Sequence, residues 1–167
     1  MKLEQAQTIA EGVLAQLMPQ CERAEIAGSI RRQNPEVKDI EIVAVPKPYD
    51  VGLFASGIAT VVDQWQRIKG QLPCKYTQVM LPEGIKLDLF LVQPGNFGWQ
   101  LALRTGSSDF NKYVLLRKLK DNYLRSEDGW IYRGDTRLMV REESELFRLI
   151  NMPYLEPVKR NYKHPLT

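Results

Sequence analysis

Residues 24–45 read AEIAGSIRRQNPEVKDIEIVAV, and this stretch decides the fold. The apolar run at 24–27 reads as a strand. It stops at Gly28-Ser29, and the basic pair Arg31-Arg32 follows. Asp39-Ile40-Glu41 then opens a second apolar run that ends at Pro46. The connection between the two strands has room for a short helical turn beginning after Ser29, whose unpaired backbone N–H groups favour anions. Side chains alternate along a strand, so Asp39 and Glu41 share one face with Cα atoms roughly 6.5–7 Å apart. Two carboxylates at that spacing can share a pair of divalent cations. Taken alone, an acid-x-acid pair fits solvated strand-end residues or salt-bridge partners equally well. Its place after a Gly-Ser bend and two arginines is what points to phosphate chemistry.

Working outward, Leu3, Ala6, Ala10, Val13, Leu14 and Leu17 fall at helical spacing and predict an amphipathic helix that ends before Pro19 and covers a sheet. Pro46, Pro48 and Gly52 mark a loop. Val61, Val62, Trp65 and Ile68 predict a helix over 60–70 that stops at Gly70. Segments 75–81 and 85–92 flank Pro82-Glu83-Gly84 and predict a hairpin. Its second strand, Lys86-Leu87-Asp88-Leu89-Phe90-Leu91, is oily yet holds one carboxylate. An unpaired charge buried there would cost several kcal/mol, so Asp88 must be neutralised or lie at an open edge. If that strand neighbours the Asp39 strand, three carboxylates converge, an oxygen-rich set suited to Mg²⁺ or Mn²⁺.

Pro94-Gly95 breaks the pattern and sets a lobe boundary there. A short helix over 97–103 is expected, ended by Thr105-Gly106-Ser107. A second helix over 109–120 follows, capped by Ser107 or Ser108. Trp130-Ile131-Tyr132 and 137–140 predict a small hairpin around Gly134-Asp135, and 142–150 a third helix. Pro153 and Pro157 predict an extended tail. Between positions 104 and 125 stand six cations (Arg104, Lys112, Arg117, Lys118, Lys120, Arg125) against the acids Asp109 and Asp121. This cluster fits contact with a phosphate backbone, with a solvated helix face as the alternative. Trp65, Trp99 and Trp130 read as core anchors rather than base-stacking platforms.

At 167 residues with 44% hydrophobic and 26% charged content, the chain is a globular protein of one domain or two small lobes, and no disorder class is indicated. A net charge of +3 says little about partners; the distribution says more. Cys21 and Cys74 are too far apart in sequence for a metal-binding spacing, and a reduced, cytoplasmic setting is expected. The amino-terminal residues lack the apolar core of a signal peptide, and no 18-residue apolar run predicts a membrane span. His164, the single histidine, is given no chemistry, and no serine or cysteine has a local triad signature.

Taken together, these motifs resemble the X family of DNA polymerases, the polymerase-beta-like nucleotidyltransferases. Gly28-Ser29-Ile30-Arg31-Arg32 resembles the family's Gly-Ser-Phe-Arg-Arg motif, and Asp39-x-Glu41 follows at the family's spacing. Lys86-Leu87-Asp88-Leu89 resembles the strand that bears the third metal ligand. Thr105-Gly106-Ser107 with Phe110-Asn111 resembles the turn and helix that begin the thumb. Residues 142–157, ending Met152-Pro153-Tyr154-x-x-Pro157, resemble the thumb's closing segment. The resemblance spans nearly the whole chain.

It implies an α+β fold: a palm at 1–93 with a mixed β-sheet and covering helices, then a small helical and hairpin thumb at 94–167. It implies that Asp39, Glu41 and Asp88 bind two Mg²⁺, with Mn²⁺ as a possible substitute, and that Asp88 lies nearest the primer 3′-hydroxyl. Gly28, Ser29 and Arg32 would contact the incoming nucleoside triphosphate. Thr105 and Gly106 would line the sugar pocket, and Asn111 would approach the base. The cations Lys112, Arg117 and Lys118 would meet DNA. The expected activity is gap-filling, repair-type DNA synthesis on a primer-template or gapped DNA by a monomer. A nucleotidyltransferase acting on protein, RNA or a small molecule is the first alternative; a non-catalytic nucleic-acid-binding module is the second. The chain departs from the family at several positions. It begins at the palm, so no lyase activity and a reduced grip on DNA are expected. Glu41 stands where most members have Asp, Leu103-Arg104 where two aromatics are common, Phe90 where many have a basic residue, and Lys38 where many have glycine.

Overall fold

The computed structural model describes residues 1–47 and 57–163. The expected loop at Pro48 and Gly52, and His164, lie outside the described residues. The chain divides into two compact units, Met1–Val92 and Gln93–Thr167. Among the described residues no helix is long and apolar enough to cross a membrane.

In the first unit, helix α1 (Leu3–Leu17) buries Ala6, Ala10, Val13 and Leu17, the predicted apolar stripe. Pro19 follows within the short 3₁₀ turn Met18–Gln20. Strand β1 (Cys21–Ile26) leads into a single helical turn α2 (Gly28–Arg31), then strand β2 (Asp39–Pro46). Helix α3 (Gly57–Val62), strands β3 (Gln66–Lys69), β4 (Tyr76–Met80) and β5 (Lys86–Leu91) complete the unit. The sheet order is β1-β2-β5-β4-β3. It is mixed: β2 runs parallel to β5, and the other neighbours are antiparallel.

The parallel pair positions the site. Ile40 lies opposite Leu87 and Ile42 opposite Leu89, and all four are fully buried in one apolar cluster with α1. Burying four such side chains stabilises the pairing by roughly 1.5–3 kcal/mol each. Because faces alternate, that burial drives Asp39, Glu41 and Asp88 together onto the opposite face, with Glu41 directly beside Asp88. A one-residue slip of either strand would turn its acids into the apolar cluster and its apolar residues out of it, so the apolar pattern fixes the register.

The β4–β5 hairpin forms where the sequence predicts it. Gly84 takes φ +77°, and Leu81 and Ile85 close the turn by a backbone hydrogen bond of 3.0 Å. The helix expected over 60–70 is corrected. It ends at Val62, and Gln66–Lys69 is an edge strand paired with β4. Gly70 is no helix stop: it has φ +69°, and a Cβ there would lie 2.2 Å from the Tyr76 carbonyl oxygen. It is a glycine because two backbones nearly touch.

The second unit holds α4 (Phe97–Thr105) and then a run from Ser108 to Asp121, in which α5 (Ser108–Phe110), a π-helical stretch (Asn111–Leu115) and α6 (Leu116–Asp121) follow without a break. The three-stranded sheet β6 (Arg125–Glu127), β7 (Trp130–Arg133) and β8 (Thr136–Leu138) comes next, then α7 (Glu143–Leu149). Strand β6 is not foreseen from the sequence, because it is exposed throughout and so lacks an apolar pattern. The core of this unit collects Trp99, Phe110, Leu115, Leu119, Ile131, Leu146 and Phe147 among others. Gly98 lets α4 lie against the backbone at the start of α7, since a Cβ would come within 2.3 Å of the Glu142 carbonyl carbon.

The tail is not simply extended. Residues Pro157–Arg160 make a 3₁₀ turn that carries Arg160 into the core. Arg160 is fully buried, paired with Glu143, and its Nε donates to the Leu155 carbonyl at 2.8 Å. Tyr154 donates its hydroxyl to the other Glu143 oxygen at 3.2 Å. Removing one partner would strand the other charge. Arg160→Met is therefore expected to cost the second unit about 3–5 kcal/mol, read as a lower urea midpoint with the Trp130 and Trp99 fluorescence change as the probe.

Candidate active site

Gly28 opens the α2 turn at φ +62°, a conformation that glycine adopts without strain. Its missing side chain has a second use. A Cβ at Gly28 would lie 1.8 Å from Oε2 of Glu41, so the Glu41 carboxylate occupies the space above the glycine. Ser29 follows. Its Oγ is buried and has no hydrogen-bond partner among the described residues. A buried hydroxyl normally has a partner, and this one lies next to the bend that the sequence assigns to phosphate.

Arg32 caps the α2 turn. Burial lowers its pKa, while Glu41 and Asp39 push it back up, so its guanidinium faces both acids. Asp39 is shifted the other way. Burial raises its carboxyl above the usual range, and the nearby Asp88 carboxylate raises it further, against Lys86, Lys38 and Arg32. Burial and the neighbouring Asp88 carboxylate together outweigh the cations around Asp39. Folded Asp39 holds its proton more tightly than the unfolded chain does. The group therefore opposes folding in full once pH is above its folded pKa, and that penalty fades as pH falls through the raised value toward the unfolded one.

Asp88 is held on one oxygen. Its Oδ1 accepts from the Tyr76 hydroxyl at 2.8 Å and from Gln78 Nε2 at 2.7 Å. Sequence reasoning does not single out these two donors, although the signal is present. Counting back from the Gly84 turn puts Gln78 directly across from Asp88 and Tyr76 across from Phe90, as the register shows.

The acids therefore share one face, as expected. Among the described residues, however, no group of three or more acidic, histidine or cysteine side chains is set as they stand to hold a metal ion. Glu41 reaches back over Gly28, and Asp88 leans on β4. The donor chemistry fits a hard divalent cation all the same. Three carboxylates on one face, with mutual repulsion between Asp39 and Asp88, are what such an ion relieves.

In the second unit Thr105 is fully buried. Ser107 caps the following helix, its Oγ accepting from the Phe110 N–H at 3.2 Å and donating to the Tyr162 carbonyl at 3.0 Å. Asn111 braces the turn from inside: its Nδ2 donates to the carbonyls of Leu103 at 2.7 Å and Gly106 at 3.3 Å. Gly106 makes room for this, because a Cβ there would lie 2.3 Å from Asn111 Oδ1. That Oδ1 is buried and unpartnered among the described residues. Lys112 and Arg117 are exposed and Lys118 half-buried on the same helical run. Lys112 Nζ rests 4.9 Å above the Tyr113 ring.

The first unit is thus a mixed five-stranded sheet with acids on one face of two parallel neighbours and a glycine-serine bend beside them, and the second is a helical unit with a small hairpin sheet, together an α+β fold. Residues 100–161 match the family model described as the DNA polymerase beta thumb. The whole chain is similar in structure to Leishmania infantum polymerase beta. Against its ternary P/T complex the TM-score is 0.75 at 16% identity, covering 97% of this chain and 77% of the other. Against its ternary gap complex the TM-score is again 0.75 at 15% identity, covering 97% and 71%. No curated protein matches the chain in sequence. In fold the chain is similar to a polymerase beta palm followed by its thumb, and over residues 100–161 the family model carries the thumb likeness as well. At this identity the likeness to solved structures speaks to the fold and not to the chemistry.

Proposed function

We propose that this protein transfers a nucleotide from a nucleoside triphosphate to a primer 3′-hydroxyl in a Mg²⁺-dependent, gap-filling DNA synthesis. The observation that carries this reading is the parallel pairing that sets Asp88 beside Glu41, on the face that also holds Asp39. In this reading Asp39, Glu41 and Asp88 hold the cations, with Asp88 nearest the acceptor hydroxyl. Bound cations would lower the pKa of that hydroxyl and steady the leaving pyrophosphate. Ser29 Oγ supplies a donor to the triphosphate, Gly28 lets its oxygens come close to backbone, and Arg32 offsets their charge. In the second unit, Thr105, Gly106 and Asn111 would contact the nucleotide's sugar and base, and Lys112, Arg117 and Lys118 the DNA backbone. The similar Leishmania polymerase beta was solved as ternary P/T and gap complexes, which supports a DNA acceptor here.

The deciding experiment offers labelled nucleotides and Mg²⁺ with gapped DNA, RNA or protein in parallel. Incorporation on gapped DNA supports the proposal; label on protein or RNA alone overturns it.

The DNA interaction has its own test. Neutralising Lys112, Arg117 and Lys118 to Gln should weaken binding to gapped DNA. The plot of log affinity against log salt should flatten by about 2–3 units, near 0.9 for each phosphate that the variant no longer neutralises. An unchanged slope would make these residues a solvated helix face.

A further inference from the structure

Strand β4 lies on the far side of Asp88 from β2, and it too reaches toward the acids. Gln78 is the direct antiparallel partner of Asp88, and Tyr76 is that of Phe90. Faces alternate, so Tyr76 and Gln78 reach over β5 on the acid side of the sheet. Both donate to the same carboxylate oxygen, at 2.8 and 2.7 Å. The Tyr76 hydroxyl is held in place by its own ring, which stacks on Phe90 with centroids 5.1 Å apart and planes at 26°. Gln78 and Asp88 are both half-buried, so these bonds are not loosened by full solvation.

A carboxylate on a strand turns about its terminal torsion and can present either oxygen. Two donors on Oδ1 fix that torsion and leave Oδ2 uncommitted by them. Both donors are neutral. They orient the group without cancelling its charge, as a guanidinium or ammonium in the same place would. An aromatic at Phe90 supports such a donor; a cation there would compete with it.

We infer that Tyr76 and Gln78 are positioning residues, which hold Asp88 by one carboxylate oxygen and reserve the other for a divalent cation and the acceptor hydroxyl. The inference rests on the nucleotidyl-transfer reading above. It adds that this chain orients its third acid through neutral donors from the neighbouring strand.

The test uses Tyr76→Phe, which keeps the ring stack and removes the hydroxyl, Gln78→Met, which keeps length and removes the donor, and the two combined. Residues that orient metal ligands commonly change affinity or activity by about 10–100-fold. The combined variant should lose kcat on gapped DNA within that range, with KM for the nucleotide nearly unchanged. Titration of the protein with MnCl₂ or MgCl₂ alone, followed by calorimetry, should show cation affinity weakened by about tenfold. A purely structural role would lower the melting temperature and leave kcat and cation affinity at wild-type values; that result overturns the inference. The two ideas also fail separately. A wild-type protein inactive on every acceptor sinks the nucleotidyl-transfer reading. Weakened cation binding in the combined variant would still uphold the orientation of Asp88.

Discussion

Asp88→Asn is expected to abolish nucleotide incorporation while leaving the protein folded. Asparagine keeps the shape of aspartate, and its Oδ1 can still accept from Tyr76 and Gln78. Only the charge and one acceptor oxygen are lost. A carboxylate that holds a cation in the transition state accounts for several kcal/mol, so turnover should fall by roughly 1,000-fold or more. Stability should move the other way. Asp39 is raised first by burial and then by Asp88, so removing the second charge relieves a repulsion. Its folded pKa then moves back toward the unfolded value. The stability that wild type loses as pH rises through that window should be smaller in the variant. Single-turnover incorporation together with thermal melting across pH 3–7 checks both halves. Retained turnover would remove Asp88 from the chemistry.

The second large effect is expected at Gly28. Alanine there meets two separate obstacles. The φ of +62° disfavours any L side chain by about 1–2 kcal/mol. The new Cβ would also fall 1.8 Å from Glu41 Oε2 and 2.6 Å from its Cδ. The far end of a flexible side chain can move, so the fold should survive with a modest drop in melting temperature. The cost falls on chemistry, because the displaced group is one of the three acids and the bend is the proposed phosphate seat. Incorporation should drop by about 100-fold or more, the scale seen when a group at a charged transition state is misplaced. Activity within twofold of wild type would show that Glu41 does not act from where it stands. The clash is specific to this chain's longer acid: a shorter side chain at position 41 would not reach as far back over the glycine.

The parts legible in the sequence are those where burial and register leave a repeating mark. The apolar stripe of α1, the oily alternation in β2 and β5, and the glycine turn at 84 all do so; they set Asp39 and Glu41 on one face and Asp88 in an oily strand, while the adjacency of β2 and β5 that unites the three is seen only in the structure. What escapes has no such mark. Strand β3 is exposed along its length, so Trp65 and Ile68 at helical spacing outweigh a segment with no alternation of its own. Gly70 resembles a helix stop because the sequence cannot show that the Tyr76 carbonyl approaches it. Arg160 carries no hint of being buried, because a cation enters a core only where an acid such as Glu143 awaits it, and that pairing is set by the tertiary fold. Tyr76 and Gln78 are within reach, since the hairpin turn already fixes which residue of β4 faces Asp88.

The parallel alignment of β2 with β5 also bears on how the molecule comes into being. Antiparallel neighbours can zip from a tight turn, but two strands running the same way must wait for a long stretch of chain to be enclosed between them. The negative cluster therefore forms only once that loop has closed and β2 and β5 have paired. An unfinished or partly unfolded copy has its acids scattered. The convergence of the three acids is in this way a certificate that the central parallel pair has formed.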